Sequence, residues 1–251
     1  ADSVAGWNLM PREAFLAIWI VIFVMMGFYL LGKIKMYHDS DVKHLGIGRV
    51  LLAITSFSFA LVLVPGMWGA PLKFISGFTP SITTQSFNLT KNTANFQTNN
   101  DMSELSKYKT KEGSYGIIKF LDYYEGLEYA AKNNKPIFLD FSGIGCTNCK
   151  KMEASVWGEQ NVLPMLLNDF VVISLYTDDR TSLPDDEQYI SNFGGKERKI
   201  RTVGQKWGDL QATRYNVNAQ HYYVLLDNEE KMLNNPTGAE FNVSKFSDFL
   251  K

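Results

Sequence analysis

The sequence predicts an α/β domain, with a central mixed sheet flanked by helices, preceded by a hairpin of two transmembrane helices. Three observations carry this prediction. Two long apolar runs without charged side chains occur within the first 75 residues, strand-like and helix-like segments alternate after residue 117, and a Cys-x-x-Cys motif follows one of the strand-like segments. The net charge of −1 over 251 residues gives no indication of a nucleic-acid-binding surface.

The two apolar runs are long enough to cross a bilayer. Residues 14–32 make a run of 19 residues and residues 50–72 one of 23, both without a charged side chain. A helix needs roughly 20 apolar residues to span the hydrocarbon core. A pair of buried core helices is the alternative, but such helices are rarely free of charge over this length. A cleaved signal peptide fits less well, because a second apolar run follows the first.

The charges that flank the runs predict their orientation. The connecting segment 33–49 carries four Lys or Arg residues, whereas the outer flanks carry one each, Arg12 and Lys73. The positive-inside rule therefore places the connection in the cytoplasm and everything after residue 75 outside.

We divide the chain into three parts: a two-span transmembrane hairpin over 1–75, a linker over 76–115 and the α/β domain over 116–251. The linker is rich in Ser, Thr, Asn and Lys and has no sustained apolar period, so we expect it to be mostly irregular. Because the chain does not begin with Met, we also expect it to be a fragment of a longer protein or a processed chain.

Within the domain, helical periodicity alternates with compact apolar runs, which implies a central sheet covered by helices. The polar segment 182–202 interrupts this alternation, and we interpret it as an insertion. The predicted helices are 120–133, 147–157, 160–168, 204–215 and 243–250, and the predicted strands are 136–141, 170–176, 221–227 and 231–233.

The stretch "FLDFSGIGCTNCKK" holds the two cysteines of the chain, Cys146 and Cys149. They follow a predicted strand and a short turn, and they open a predicted helix. Free backbone N–H groups and the helix dipole stabilise a thiolate at the first turn of a helix, and the second cysteine lies one turn further along. This placement favours a redox-active pair.

Three other uses of two cysteines are less consistent with the sequence. A structural zinc site needs four ligands, but the predicted topology puts His38 and His44 across the membrane and leaves His221 alone. A c-type haem requires a His directly after the second cysteine, where this chain has Lys150. A structural disulfide that closes so short a loop stabilises little. We therefore predict no metal and no bound cofactor.

Asp140 lies in the middle of the predicted strand "IFLDF", six residues before Cys146. A carboxylate in a buried strand costs free energy unless it has partners or a function. One interpretation is a hydrogen-bonded or solvated side chain at a strand end. The other is a proton acceptor for the Cys149 thiol, a role for which burial would raise its pKa toward neutrality.

These residues resemble a known family. The segment "FLDFSGIGCTNCKKME" is similar to the active-site segment of the thioredoxin fold, which we expect over 116–251. Together with "GFYLLGKIKMYHDSD", "LVPGMWGAPLKFISGFTP" and "CKKMEASVW", it resembles the C-terminal part of the DsbD family of thiol:disulfide interchange proteins. That part comprises the last two membrane spans and a periplasmic thioredoxin-like domain.

The resemblance implies a role for each site residue. Cys146 would be the nucleophile, Cys149 the resolving thiol, and Asp140 the buried acid of thioredoxins. His221, in "NAQHYYVLLD", takes the position of the cis-proline that faces the disulfide and shapes the substrate groove. A non-proline cis bond costs about 2.5–4 kcal/mol, so we expect a trans bond there. An imidazole at this position could also lower the pKa of the Cys146 thiol.

The resemblance also implies partners and a location. We expect a bacterial inner-membrane protein with its C-terminal domain in the periplasm, in contact with the lipid bilayer. Its partners would be disulfide-containing proteins of isomerase or cytochrome c maturation type. The membrane cysteines of the family are absent from this chain, so an upstream membrane domain would have to supply the electrons.

Three functions stay open at this point. The first is a membrane-anchored reductase that transfers electrons by dithiol exchange, and the second is a thiol oxidase or isomerase. The direction depends on the reduction potential, which Thr147 and Asn148 between the cysteines do not reveal. The third is a non-catalytic docking module that uses the thioredoxin-like groove.

Overall fold

The computed structural model describes residues 10–37, 39, 44–80, 84–86, 102–193 and 195–251. His38 and the middle of the predicted linker, residues 87–101, lie outside this part.

The first described elements are two long apolar helices, α1 (Arg12–Leu30) and α2 (Ile47–Leu63). They pack closely, since a Cβ on Gly27 would lie 2.5 Å from the ring of Phe57. The hydroxyl of Ser56 donates to the carbonyl of Phe23 at 2.6 Å. By length and composition both helices could span a membrane, which agrees with the two predicted spans.

The second helix changes its geometry near its end. A 3₁₀ turn, Val64–Trp68, continues from α2, and Pro65 is its second residue. Proline has no N–H to donate, so the regular α-helical ladder stops here. The chain then folds back, and the buried Arg12 guanidinium donates to the carbonyls of Pro80 (3.1 Å) and Ala70 (3.5 Å). This contact fixes the segment that leaves the hairpin against the start of α1.

A five-stranded mixed sheet forms the centre of the domain, in the order β1-β2-β4-β3-β7. Neighbouring β3 and β4 are parallel, whereas β7 runs antiparallel to β3 and β1 antiparallel to β2. A separate two-stranded sheet pairs β5 with β6. The strands are β1 (Thr110–Glu112), β2 (Ile118–Phe120), β3 (Ile137–Ser142), β4 (Val171–Tyr176), β5 (Tyr189–Phe193), β6 (Lys196–Ile200) and β7 (Tyr222–Leu226).

Helices cover both faces of the five-stranded sheet. Ile137, Leu139 and Phe141 of β3 pack with Tyr129 and Trp207 in one apolar core. Phe138 of β3 belongs to a second core on the opposite face, with residues of α5, α6 and α8. The helices of the domain region are α3 (Met102–Leu105), α4 (Tyr123–Asn133), α5 (Thr147–Met152), α6 (Leu163–Asn168), α7 (Val203–Tyr215) and α8 (Val243–Phe249), and a π-helical turn, Glu153–Trp157, continues α5.

The predicted fold class is confirmed, but several elements differ from the prediction. The helix predicted from residue 120 begins at Tyr123, because Phe120 belongs to β2 and the Asp122 carboxylate caps the helix by accepting from the N–H groups of Tyr124 and Glu125. The first two strands were not predicted, since each has only three residues and carries charged side chains. The 182–202 insertion contains the β5–β6 hairpin. The strand predicted at 231–233 is only an isolated bridge between Leu226 and Met232.

Candidate thiol–disulfide site

The site begins at the end of β3, where a turn leads into α5. The N–H groups of Ile144 and Gly145 donate to the Asp178 carboxylate at 2.7 and 2.9 Å. Asp178 follows β4, the parallel neighbour of β3, so the two strand ends are tied together next to the cysteines. The sequence analysis missed this residue, although its place just after a buried strand was a signal.

Cys146 and Cys149 form a disulfide, with their Cα atoms 5.3 Å apart. Cys146 is the N-cap of α5, and its sulfur accepts from the N–H of Cys149 at 3.3 Å. Cys146 is 7 % exposed and Cys149 is 3 % exposed, so Cys146 is the slightly more exposed residue of the pair. The N–H group of Cys149 at the start of the helix donates a hydrogen bond to the Cys146 sulfur, which favours the thiolate form of Cys146.

His221 lies directly against this pair. Its ring nitrogens are 3.5 Å (Nε2) and 3.6 Å (Nδ1) from the sulfur of Cys146, and the residue is buried. Burial lowers the pKa of the imidazole below its ordinary value, because the charged form loses hydration. A neutral ring is therefore favoured, in contrast to the imidazolium that would lower the pKa of the Cys146 thiol most strongly.

The backbone at His221 is unusual for a position matched to a proline. Its φ angle is +61°, in the left-handed region, and its N–H donates to the carbonyl of Phe141 at 2.9 Å. Proline can provide neither that φ angle nor that hydrogen bond. No cis peptide bond occurs among the described residues.

Asp140 is buried on the same face of β3 as Phe138, which is the face that α5 covers. The Ser174 hydroxyl donates to its Oδ2 at 3.0 Å, and its Oδ1 has no hydrogen-bond partner in the described part of the chain. Burial raises the pKa of Asp140 to about 7, although the cation of Lys119 opposes this. Asp140 thus titrates near neutral pH.

A buried ion pair lies beside Asp140. Lys119 of β2 is 2 % exposed, and its ammonium group donates to the Glu153 carboxylate at 2.6 Å. Burial alone would lower the pKa of Lys119, but the Glu153 carboxylate outweighs it and raises the pKa above its ordinary value. The same ammonium group lies 4.8 Å from the centre of the Trp157 ring.

The sheet register explains why these charges share one face. Lys119 pairs with Val172 and Asp140 pairs with Ser174, and Val172 and Ser174 are two residues apart on β4. Side chains two apart on a strand point to the same face. Lys119, Ser174 and Asp140 therefore form a row beneath α5. The sequence analysis missed Lys119 and Glu153, although Glu153 follows Cys149 by four residues and so lies on its side of the helix.

The segment that leaves the apolar hairpin also touches the site. A Cβ on Gly77 would lie 2.3 Å from Cγ2 of Thr147, the residue directly after Cys146. Lys73 and Glu159 form an ion pair nearby. The start of α5 is therefore contacted by the chain as it comes from the second apolar helix.

Among the comparisons with known proteins, the match to a family model agrees with this architecture. A family model described as thioredoxin-like matches residues 118–192. Anterior gradient protein 3 of Mus musculus is 26% identical over 113 residues, which cover 44% of this chain and 68% of that protein. A solved structure named DsbH oxidoreductase is 21% identical, with a TM-score of 0.36, and the match covers 51% of this chain and 81% of that one. The cysteine pair thus belongs to a thioredoxin-like α/β domain with a mixed sheet flanked by helices, preceded by two apolar helices that could span a membrane.

Proposed function

We propose that this chain is a membrane-anchored thiol:disulfide oxidoreductase of the DsbD type, which reduces disulfides in periplasmic partner proteins. The observation that carries the proposal is the buried Cys146–Cys149 disulfide at the start of a helix. Asp140, with a pKa of about 7, lies on the sheet face that this helix covers. A thiol pair is what a dithiol exchange requires, and a buried acid that titrates near neutral pH is suited to accept the proton of the resolving thiol.

Reduction of a partner needs two exchanges. In the dithiol form, the Cys146 thiolate attacks one sulfur of the partner's disulfide, and the partner's other sulfur leaves as a thiolate that takes a proton from water. Cys149 then gives up its proton, attacks the Cys146 sulfur and releases the second partner sulfur, which takes up a proton. The partner gains two electrons, and the chain returns to its disulfide form.

Each residue has a role that follows from its position. Cys146 is the nucleophile because its sulfur accepts a hydrogen bond at the helix start and the residue is the more exposed of the two, and Cys149 resolves the mixed disulfide. Asp140 accepts the Cys149 proton, for which its unpaired Oδ1 leaves a free acceptor site. His221 borders Cys146 and lines the groove that receives the partner's sulfur. The exchange itself requires no bound cofactor.

The electron donor and the location complete the proposal. The chain has two cysteines, both at this site, so it needs a second dithiol protein or an upstream membrane domain to reduce it again. The two apolar helices would anchor it in a bacterial inner membrane. Their connection carries most of the nearby Lys and Arg residues, which supports a periplasmic location for the thioredoxin-like domain under the positive-inside rule. Partners of isomerase or cytochrome c maturation type fit this location.

The reduction potential of the full chain tests the direction of electron flow. Equilibration with glutathione should give a value of roughly −270 to −220 mV, near the thioredoxin end of the known range. A value of about −120 mV would identify an oxidant and overturn the reductase proposal.

Trapping tests whether the pair reacts at all. The Cys149→Ser variant should accumulate mixed disulfides with partner proteins, because the resolving thiol is missing. The Cys146→Ser variant is the matched control and should accumulate none, since the nucleophile is lost. If neither variant accumulated mixed disulfides and the wild-type chain showed no reversible redox couple, the chain would be better described as a docking module.

A further inference from the structure

We infer that the reduced chain holds a Zn²⁺ ion on three ligands: the sulfurs of Cys146 and Cys149 and one ring nitrogen of His221. Their ligand atoms all lie within 4.8 Å of one another, and all three residues are buried. The inference goes beyond the proposed function, because it requires only the dithiol form and holds for either direction of electron flow.

The distances fit a tetrahedral metal. A zinc ion lies about 2.3 Å from a thiolate sulfur and about 2.0–2.1 Å from an imidazole nitrogen, so a tetrahedral angle separates the two ligand atoms by about 3.6 Å. The nitrogens of His221 lie 3.5 and 3.6 Å from the Cys146 sulfur. The Cys146–His221 pair is therefore already at ligand spacing, and a rotation of the ring aims one nitrogen lone pair at the metal, since both nitrogens now lie at nearly equal distance from the sulfur.

The two sulfurs reach ligand spacing only after reduction. Two thiolates on one zinc ion lie about 3.8 Å apart, which a disulfide bond forbids. A dithiol, or a phosphine in the experiment below, supplies the two electrons that cleave the bond and is itself oxidised, and two protons complete the two thiols. Zinc binding then releases both thiol protons. The Cα–Cα distance of 5.3 Å across one helical turn leaves room for this separation.

The types of the three ligands indicate which metal ion would bind. Thiolate and imidazole ligands favour zinc over hard cations such as magnesium or calcium. No fourth His, Cys, Asp or Glu joins the cluster within the described residues, so one coordination position is left for water or a partner's thiol. The sequence analysis predicted no metal, because a structural zinc site needs four ligands. A three-ligand site with an open position is a different arrangement, which that argument did not address.

The backbone at residue 221 sets this ligand in place. Its positive φ angle and its hydrogen bond to Phe141 direct the ring toward Cys146. Asn tolerates a positive φ angle better than most residues. His221→Asn is therefore the substitution that removes the imidazole with the least change of the backbone.

Cobalt binding to the full chain tests the inference. The chain is kept in detergent, reduced with a phosphine under nitrogen and titrated with Co²⁺, then with Zn²⁺ against a chromophoric chelator. We expect one Co²⁺ per chain, with tetrahedral ligand-field bands and a sulfur-to-cobalt charge-transfer band, displaced by Zn²⁺. His221→Asn should weaken Zn²⁺ binding at least tenfold, and Cys149→Ser should weaken it further.

Two controls separate this site from others. His44→Asn removes an exposed histidine outside the site and should leave binding unchanged. The oxidised chain should show no cobalt spectrum. Binding by the oxidised chain, equal affinity in His221→Asn, or no cobalt spectrum in the reduced, folded chain would each overturn the three-ligand site. If His221→Asn does not fold, X-ray absorption of the zinc-loaded wild-type chain tests the ligands instead. We expect two sulfurs and one imidazole nitrogen around the zinc ion, and any other ligand set would overturn the proposed site.

Discussion

The two faces of the central sheet are built for different purposes. The face that holds Leu139 packs an apolar core against Tyr129 and Trp207. The opposite face also has an apolar core, but it buries Asp140 and Lys119 beneath the helix that carries the cysteines. Buried charged side chains cost free energy unless they are paired, so it is informative that, among the described residues of the sheet, Asp140 and Lys119 are buried on the same face. The proposed chemistry therefore belongs to the α5 face, and we expect the residues of the other face to contribute mainly to stability.

Replacement of an apolar side chain should cost the most stability. Leu139→Ala leaves a cavity on the apolar face and should lower the free energy of unfolding by about 2–5 kcal/mol. Denaturant unfolding in detergent, followed by tryptophan fluorescence, measures this loss. The exposed Leu233→Ala is the matched control and should lose less than about 0.5 kcal/mol. Leu139→Ala should not change the reduction potential, and a clear shift in that potential would show that the two faces are not separate.

Asp140, the next residue along β3, should make stability depend on pH. The folded chain keeps the Asp140 proton up to a pH of about 7, whereas an unfolded Asp loses it near 3.8. The folded state therefore binds more protons between these values, and the free energy of unfolding should fall as pH rises through this window. The total fall is on the order of 4 kcal/mol.

The Asp140→Asn variant tests this assignment. Its side chain does not titrate, so the fall between pH 4 and pH 7 should disappear relative to the wild-type chain. Leu139→Ala should keep the same pH dependence, because its side chain lies on the other face. An unchanged slope in Asp140→Asn would mean that another group causes the pH dependence.

Lys119→Met should have a smaller effect on stability and a distinct effect on Asp140. It removes the charged partner of Glu153, which should cost about 2 kcal/mol for the lost charged hydrogen bond. It also removes the cation that lowers the pKa of Asp140, so this pKa should rise further. The infrared band of the protonated carboxyl group should then persist to higher pH. Lys245→Met, an exposed control, should leave the band unchanged.

Much of the fold could be predicted from local patterns. The long apolar runs, the buried strands at β3 and β4 and the helix after Cys146 all follow from apolar periodicity and from residues that start helices. The first two strands could not be predicted this way. They have three residues each, and β2 pairs with β4, which is more than 50 residues away. The pairing of β2 with β4 on one side and β1 on the other makes "IKF" a strand.

The candidate site, like the fold, could be predicted only in part from the sequence. The cysteines and Asp140 could be found because they lie within one short segment. Lys119 could not be identified, since a Lys near an apolar run is usually exposed, and its burial depends on Glu153 from another element. The family resemblance predicted that His221 faces the disulfide, and the structure has it against Cys146. Its backbone φ angle of +61° was not predicted, because sequence periodicity does not encode it.

The π-helical turn after α5 has a consequence for comparisons between relatives. A π turn holds one residue more than an α turn over the same rise, so Glu153–Trp157 contains an effective one-residue insertion. A relative with a regular α-helix here would need a gap in this segment when the two sequences are aligned. Without that gap, positions beyond it would be compared about 100° out of phase around the helix axis. Evolutionary trees and coupling analyses of this segment should therefore be built from structure-based alignments.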